Sequence, residues 1–135
     1  MSGGPVAADT NVLLRALVDD DSAPEQCAQA RALLEGASKV RISAVVFHEL
    51  MWTLSRRFGF ARAELVATGE ALLAHPNYDL DLPELIGEAL TILGSAAIDF
   101  ADAVAVADAR RCGGPLHTFD RKLARLPGAK LLGKP

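Results

Sequence analysis

The chain has only two cysteines, Cys27 and Cys112, set 85 positions apart with no CxxC or Cys/His spacing around them. A disulfide framework or a zinc site needs more partners than that, so both are expected as reduced core thiols. No apolar run reaches the roughly 18 residues of a membrane span, and no membrane partner is expected. The Met1 to Pro5 lead lacks the basic region and long apolar core of a secretory signal, which makes a cytoplasmic location the expectation. An excess of positive charge is missing too. There are 14 Lys and Arg against 17 Asp and Glu, a net charge of -3, which excludes a strongly basic nucleic-acid tail. Repeats, low-complexity tracts and convincing linkers are also absent, so 1–135 reads as one domain. What is present is a core: half of the residues are hydrophobic, 50% of 135. That excludes a disordered or collagen-like chain, and at this size about two-thirds of the unfolded surface is buried on folding.

The pattern along the chain alternates. Pro5 to Ala8 is a short apolar run closed by Asp9, and Thr10 to Val18 has helical character. After Asp19-Asp20-Asp21, Ser22 is placed to cap a helix with Pro24 and Glu25 in its first turn, ending near Gly36. Lys39 to Ser43 alternates as a strand does. Ala44 to Phe58 is a strongly apolar helix stopped by Gly59, and Ala61 to Ala74 is a further helix broken at His75-Pro76-Asn77. Tyr78 to Leu82 reads as a strand, Pro83 to Leu93 and Asp99 to Cys112 as helices, Leu116 to Phe119 as a strand, and Lys130 to Leu132 as a last edge strand. Strands alternating with helices imply an α/β fold with a parallel sheet covered on both faces.

In an open parallel sheet, functional groups collect beyond the carboxyl ends of the strands. Asp9 ends the first strand and Asp120 follows Leu116 to Phe119, so the two share a crevice if those strands are close neighbours. Two more acids are expected to be partly buried. Glu49, at about 100° per residue, lies about 60° from Val46 and 40° from Thr53, at the edge of an apolar stripe. Asp102 sits in the first turn of its helix among Ala101, Ala103, Val104 and Ala105, with Asp99 three residues earlier on the same face. Each acid also has a structural role open to it. Asp9 and Asp99 are placed to cap helices, Asp120 to cap the turn at Arg121, and Glu49 to pair with an arginine such as Arg56. Taken together, four or five such acids repel one another unless a cation or several arginines balance them.

A carboxylate cluster without His or Cys suits a hard cation, Mg²⁺ or Mn²⁺, rather than zinc. Such an ion activates water and stabilises charge developing on phosphate, and phosphodiester hydrolysis is the reaction this chemistry serves. Arginine outnumbers lysine 10 to 4, and Arg15, Arg56, Arg57, Arg62, Arg110, Arg111, Arg121 and Arg125 are candidates for holding further phosphates. His48 reads as a helix-surface residue. His117 is expected to point away from the side of Asp120 or to pack in the sheet, and neither histidine enters the site.

Four segments, Asp9-Thr10-Asn11-Val12-Leu13-Leu14-Arg15, His48-Glu49-Leu50 before Trp52, Asp99-Phe100-Ala101-Asp102-Ala103 and Thr118-Phe119-Asp120, together resemble the PIN-domain ribonucleases. Within that family the likeness is nearer to the VapC-type toxins of bacterial toxin–antitoxin pairs. The resemblance covers almost the entire chain. It implies a three-layer α/β/α sandwich with a central parallel sheet and a Mg²⁺- or Mn²⁺-dependent endoribonuclease site selective for single strands. Asp9, Glu49, Asp102 and Asp120 match the family's four acids, which hold the metal, with Asp9 and Asp102 as direct ligands. Asp99, Thr118 and Asn11 match supporting positions. The resemblance also implies a homodimer, an RNA substrate, and an antitoxin partner whose tail blocks the cleft.

Rival readings fare less well on the same residues. A haloacid-dehalogenase-type phosphatase needs a second Asp two residues after the first, and position 11 is Asn. A receiver domain needs two adjacent early acids where there is only Asp9, and dinucleotide binding lacks a GxGxxG loop. A PIN-fold binding module without catalysis is the remaining alternative. On the ribonuclease reading, four or five of the 17 acids belong to the site, leaving 14 bases against 12 or 13 acids elsewhere. The acid excess then marks the site rather than an RNA-repelling surface.

Overall fold

Five strands and six helices alternate along residues 3–133, the part of the chain described by the computed structural model. Met1 and Ser2, part of the lead read above for targeting signals, lie outside those residues. The chain divides into two compact units, Met1–Asp81 and Leu82–Pro135.

The first unit runs β1 (Gly3–Ala7), α1 (Thr10–Leu17), α2 (Pro24–Gly36), β2 (Ala37–Ile42), α3 (Ala44–Arg56), α4 (Arg62–Ala74) and β3 (Tyr78–Leu80). β2 lies in the middle of the sheet and pairs in parallel on both sides, with Val6 opposite Val40 and Ile42 opposite Leu80. Parallel neighbours need crossover connections, and the helix pairs α1–α2 and α3–α4 supply them. α1 packs on α2 and α3, α3 on α4, and α2 and α4 on strands β2 and β3. The apolar positions of these elements meet in a core where Leu13, Val40, Ile42, Phe47, Leu50 and Leu54 are fully buried. Each such side chain contributes about 1.5–3 kcal/mol of transfer free energy before entropy is charged against it.

Local chemistry sets the helix ends. Ser43 Oγ accepts the Val46 amide at 3.2 Å and opens α3, and Glu64 Oε1 accepts the Ala61 amide at 2.8 Å at the start of α4. α2 starts differently from the sequence expectation. Ser22 does not cap it: the N-cap position falls on Ala23, and the Ser22 amide and hydroxyl both donate to Asp20 Oδ1. The helix begins after Ala23 with no side-chain cap and relies on Pro24 in its first turn.

The second unit runs α5 (Pro83–Ser95), α6 (Phe100–Cys112), β4 (Leu116–Thr118), a single 3₁₀ turn (Leu123–Arg125) and β5 (Ala129–Leu131). α5 packs on α6, α6 on β4, and the 3₁₀ turn on both strands. β4 and β5 are also parallel, with Leu116 opposite Ala129. Ala89, Leu90, Ala103, Val106 and Ala107 form the fully buried centre. Gly113, at φ 81°, ends α6 in the left-handed conformation that glycine adopts without steric cost. Leu82, at φ 48°, is the one non-glycine residue with positive φ among the described residues. It stands just before Pro83, whose ring disfavours the α-helical region for its predecessor.

The α/β class with parallel strands is therefore the one read from the sequence. The expectation of two core thiols is corrected at one position: Cys27 is buried, but Cys112, the last residue of α6, is exposed. Among the described residues no helix is long and apolar enough to cross a membrane.

Candidate active site

Asp9 stands two residues beyond the end of β1 and is the N-cap of α1, its Oδ1 accepting the Val12 amide at 3.0 Å. The cap engages one oxygen only. Oδ2 makes no hydrogen bond among the described residues, so the structural role leaves a lone-pair-rich oxygen free for a cation. Asn11 lies in the first turn of α1 and lines a cavity of about 280 Å³ with Arg15, Gln26 and Gln29.

Glu49 is not partly buried as the helical spacing suggested. The buried stripe of α3 is Phe47, Leu50, Met51 and Leu54, and Glu49 is on the exposed side. Val46 is only half-buried and Val45 is 69% exposed, so the valines misplace the stripe by about half a turn. Nor does Glu49 pair with Arg56: it has no ion pair or hydrogen bond among the described residues. An exposed carboxylate stays hydrated and keeps both oxygens available.

The second unit brings three acids under one another's influence. Asp99 is the N-cap of α6, with Oδ1 accepting the Asp102 amide at 2.8 Å. Asp120 follows β4 and its Oδ1 accepts the amides of Lys122 at 2.9 Å and Leu123 at 3.2 Å, capping the 3₁₀ turn. Thr118 Oγ1 accepts the Asp120 amide at 3.0 Å and fixes the backbone that carries this carboxylate. Asp102 is half-buried. Burial first, then the charges of Asp99 and Asp120, push its carboxyl above the ordinary value, and a hydrogen bond with Asp99 adds to the rise.

The donors are all carboxylate oxygens, which fit a hard divalent cation and not zinc. The elevated Asp102 carboxyl marks like charges that a cation would relieve. Among the described residues no group of three or more His, Cys, Asp or Glu side chains is arranged to hold an ion.

Sequence reasoning did not single out Asp79 and Asp81, which also lie at the end of a strand. Arg41 pairs with both, at 3.5 Å and 2.7 Å, and holds β2 to the end of β3. The arginines sort in the same way. Arg15 is tied to Asp20 and Gln26, Arg111 faces Glu84 and Glu88, Arg110 donates to the Pro127 carbonyl, and Arg57 lies over the Phe58 ring. Arg56, Arg121 and Arg125 are exposed and make no ion pair or hydrogen bond among the described residues. Both histidines left out of the site, His48 and His117, are exposed.

No curated protein matches the chain. The PIN domain family model matches residues 6–129 and runs through both units, with all four motif segments inside the match. The chain therefore belongs to the PIN domain family, whose members are generally nucleases that use divalent metals.

Proposed function

We propose that this chain is a Mg²⁺- or Mn²⁺-dependent endoribonuclease and the VapC-type toxin of a toxin–antitoxin pair, acting as a homodimer in the cytoplasm. The proposed metal ligands are Asp9, Glu49, Asp102 and Asp120, with Asn11, Asp99 and Thr118 in support, and 1–135 forms one functional domain. The observation that carries the reading is the trio Asp99, Asp102 and Asp120. A carboxyl raised first by its own burial and then by two like charges would be relieved by a nearby cation.

A bound ion supplies water activation and neutralisation of charge on the phosphate. The chain's own groups do the rest. Asp9, Asp99 and Asp120 each hold one oxygen still through backbone amides, so little side-chain entropy remains to be lost when the other oxygen is engaged. Thr118 fixes the chain at Asp120. Unpaired Arg56, Arg121 and Arg125 are suited to neighbouring phosphates of the strand.

The test uses the purified chain freed of any antitoxin and a single-stranded RNA. Cleavage is expected with added Mg²⁺ or Mn²⁺, is abolished by EDTA, and is absent in Asp102→Asn with unchanged circular dichroism. If neither metal yields cleavage while the chain binds a protein partner, the fold is a binding module and the nuclease assignment fails. Induced expression without the antitoxin is expected to arrest growth, and unaffected growth at high expression removes the toxin role alone.

A further inference from the structure

Two large aromatic side chains are left in water, and each stands next to an acid of the proposed ligand set. Trp52 is 55% exposed on α3, and Phe119 is 76% exposed just before Asp120. Exposing rings of this size forgoes apolar burial that the core would otherwise use.

On α3, Glu49 and Trp52 are three residues apart, which puts their Cβ atoms about 5–6 Å apart on one face. Arg56 follows Trp52 by four residues and continues the same face. That face, Glu49, Trp52 and Arg56, lies opposite the buried stripe of Phe47, Leu50 and Leu54. In the second unit the order is Phe119, Asp120, Arg121, all three exposed. Among the described residues neither ring has a ring contact, and neither Arg56 nor Arg121 has an anionic partner. The same trio of chemistries is therefore built twice on unrelated local structures: a carboxylate, an unpartnered ring and an unpartnered guanidinium.

This combination selects one class of occupant. A carboxylate that holds a divalent ion would bind phosphate, a guanidinium binds a neighbouring phosphate, and a bare ring beside them meets what hangs from the backbone there, a base. Duplex bases are stacked on each other and do not present their faces, whereas a single strand does. We infer that Trp52 and Phe119 are each a stacking platform for an unpaired base of single-stranded RNA, Trp52 beside Glu49 and Phe119 beside Asp120. This inference rests on the nuclease reading above and adds the residues that select single strands.

Trp52 is the only tryptophan in the chain, so its emission reports this face alone. Titrating a single-stranded RNA oligonucleotide into the Asp102→Asn chain, which retains substrate, is expected to quench the emission. The matching duplex is expected to leave it unchanged. In the active chain with Mn²⁺, Trp52→Ala and Phe119→Ala are each expected to raise KM for the single strand about tenfold, and Trp52→Phe restores most of the loss. RNA that binds by anisotropy without quenching, or a KM unchanged in both alanine variants, overturns the inference. Emission that shifts with protein concentration and not with RNA also overturns it, and assigns the face to a protein contact. Quenching without cleavage under either metal sinks the nuclease reading but leaves the platforms standing. Cleavage with no role for either ring does the reverse.

Discussion

Asp19, Asp20, Asp79 and Asp81 of the first unit and Asp99, Asp102 and Asp120 of the second meet opposite surroundings. In Met1–Asp81, Asp20 is held below its ordinary pKa, first by hydrogen bonds from Ser22 and then by Arg15. Asp19 pairs with Arg31, and Asp79 and Asp81 share Arg41. In Leu82–Pro135 the two arginines in the last turn of α6 are spent elsewhere, Arg111 on Glu84 and Glu88 and Arg110 on a carbonyl. Asp99, Asp102 and Asp120 have no cationic partner among the described residues, and the charges of Asp99 and Asp120 add to the rise that burial gives the Asp102 carboxyl. An acid with a cationic partner in its own chain is architecture. Acids held by backbone amides alone keep a charge that no side chain among the described residues neutralises.

The largest effect should come from neutralising one acid of each kind. Asp120→Asn is expected to remove RNA cleavage entirely, whereas Asp20→Asn keeps it and loses only local stability. Equal loss of cleavage in both would erase the distinction between the two sets. Next in size, Thr118→Val removes the hydroxyl that holds the Asp120 backbone, and kcat is expected to fall about 10–100-fold with the fold retained.

Smaller still are the caps. Asp9→Ala is expected to cost about 1 kcal/mol in chemical denaturation. Asp99→Ala should cost less, because losing its cap is offset by relief of the charge on Asp102. A larger cost at Asp99 would contradict the crowding of the trio.

The smallest effect is a stability change with a definite sign. The folded pKa of Asp102 lies above its unfolded value, so the folded state binds this proton more tightly. Stability from that preference is present below the unfolded value and is lost as pH rises through the folded one. Without metal at pH 7, Asp102→Asn is therefore expected to melt slightly above the wild type. The gap should close on acidification through the carboxylate range. Added Mg²⁺ should stabilise the wild type and not the variant.

Much of this was legible in the residues. Ser43 at the start of α3, Pro83 at the start of α5 and Gly113 after α6 bound their helices by side-chain and backbone chemistry that acts within one turn. The capping roles of Asp9 and Asp99 were legible for the same reason. What the sequence hid depends on competition and on packing. Ser22 loses its cap because the helix starts one residue later, after Ala23, and the Ser22 hydroxyl turns to Asp20 two residues back. Glu49 looked partly buried because Val46 and Thr53 lie close to it around the helix, but α3 turns Phe47 and Leu54 inward instead. Cys112 reads as apolar by type, yet the last turn of a helix that ends at Gly113 is exposed. The arginines were the least legible. Only the fold shows that Arg41 and Arg111 are paired while Arg56 and Arg121 have no partner among the described residues.

The caps at Asp9, Asp99 and Asp120 have a genetic consequence. Asparagine keeps the Oδ1 acceptor that each cap uses and loses only the charge. Aspartate and asparagine codons differ by one nucleotide, so on the nuclease reading proposed above a folded but inactive version of this chain lies a single transition away at each of the three positions. If the proposed toxin role holds, silencing at that distance needs no loss of the protein, and populations carrying the gene should accumulate these substitutions before they accumulate deletions.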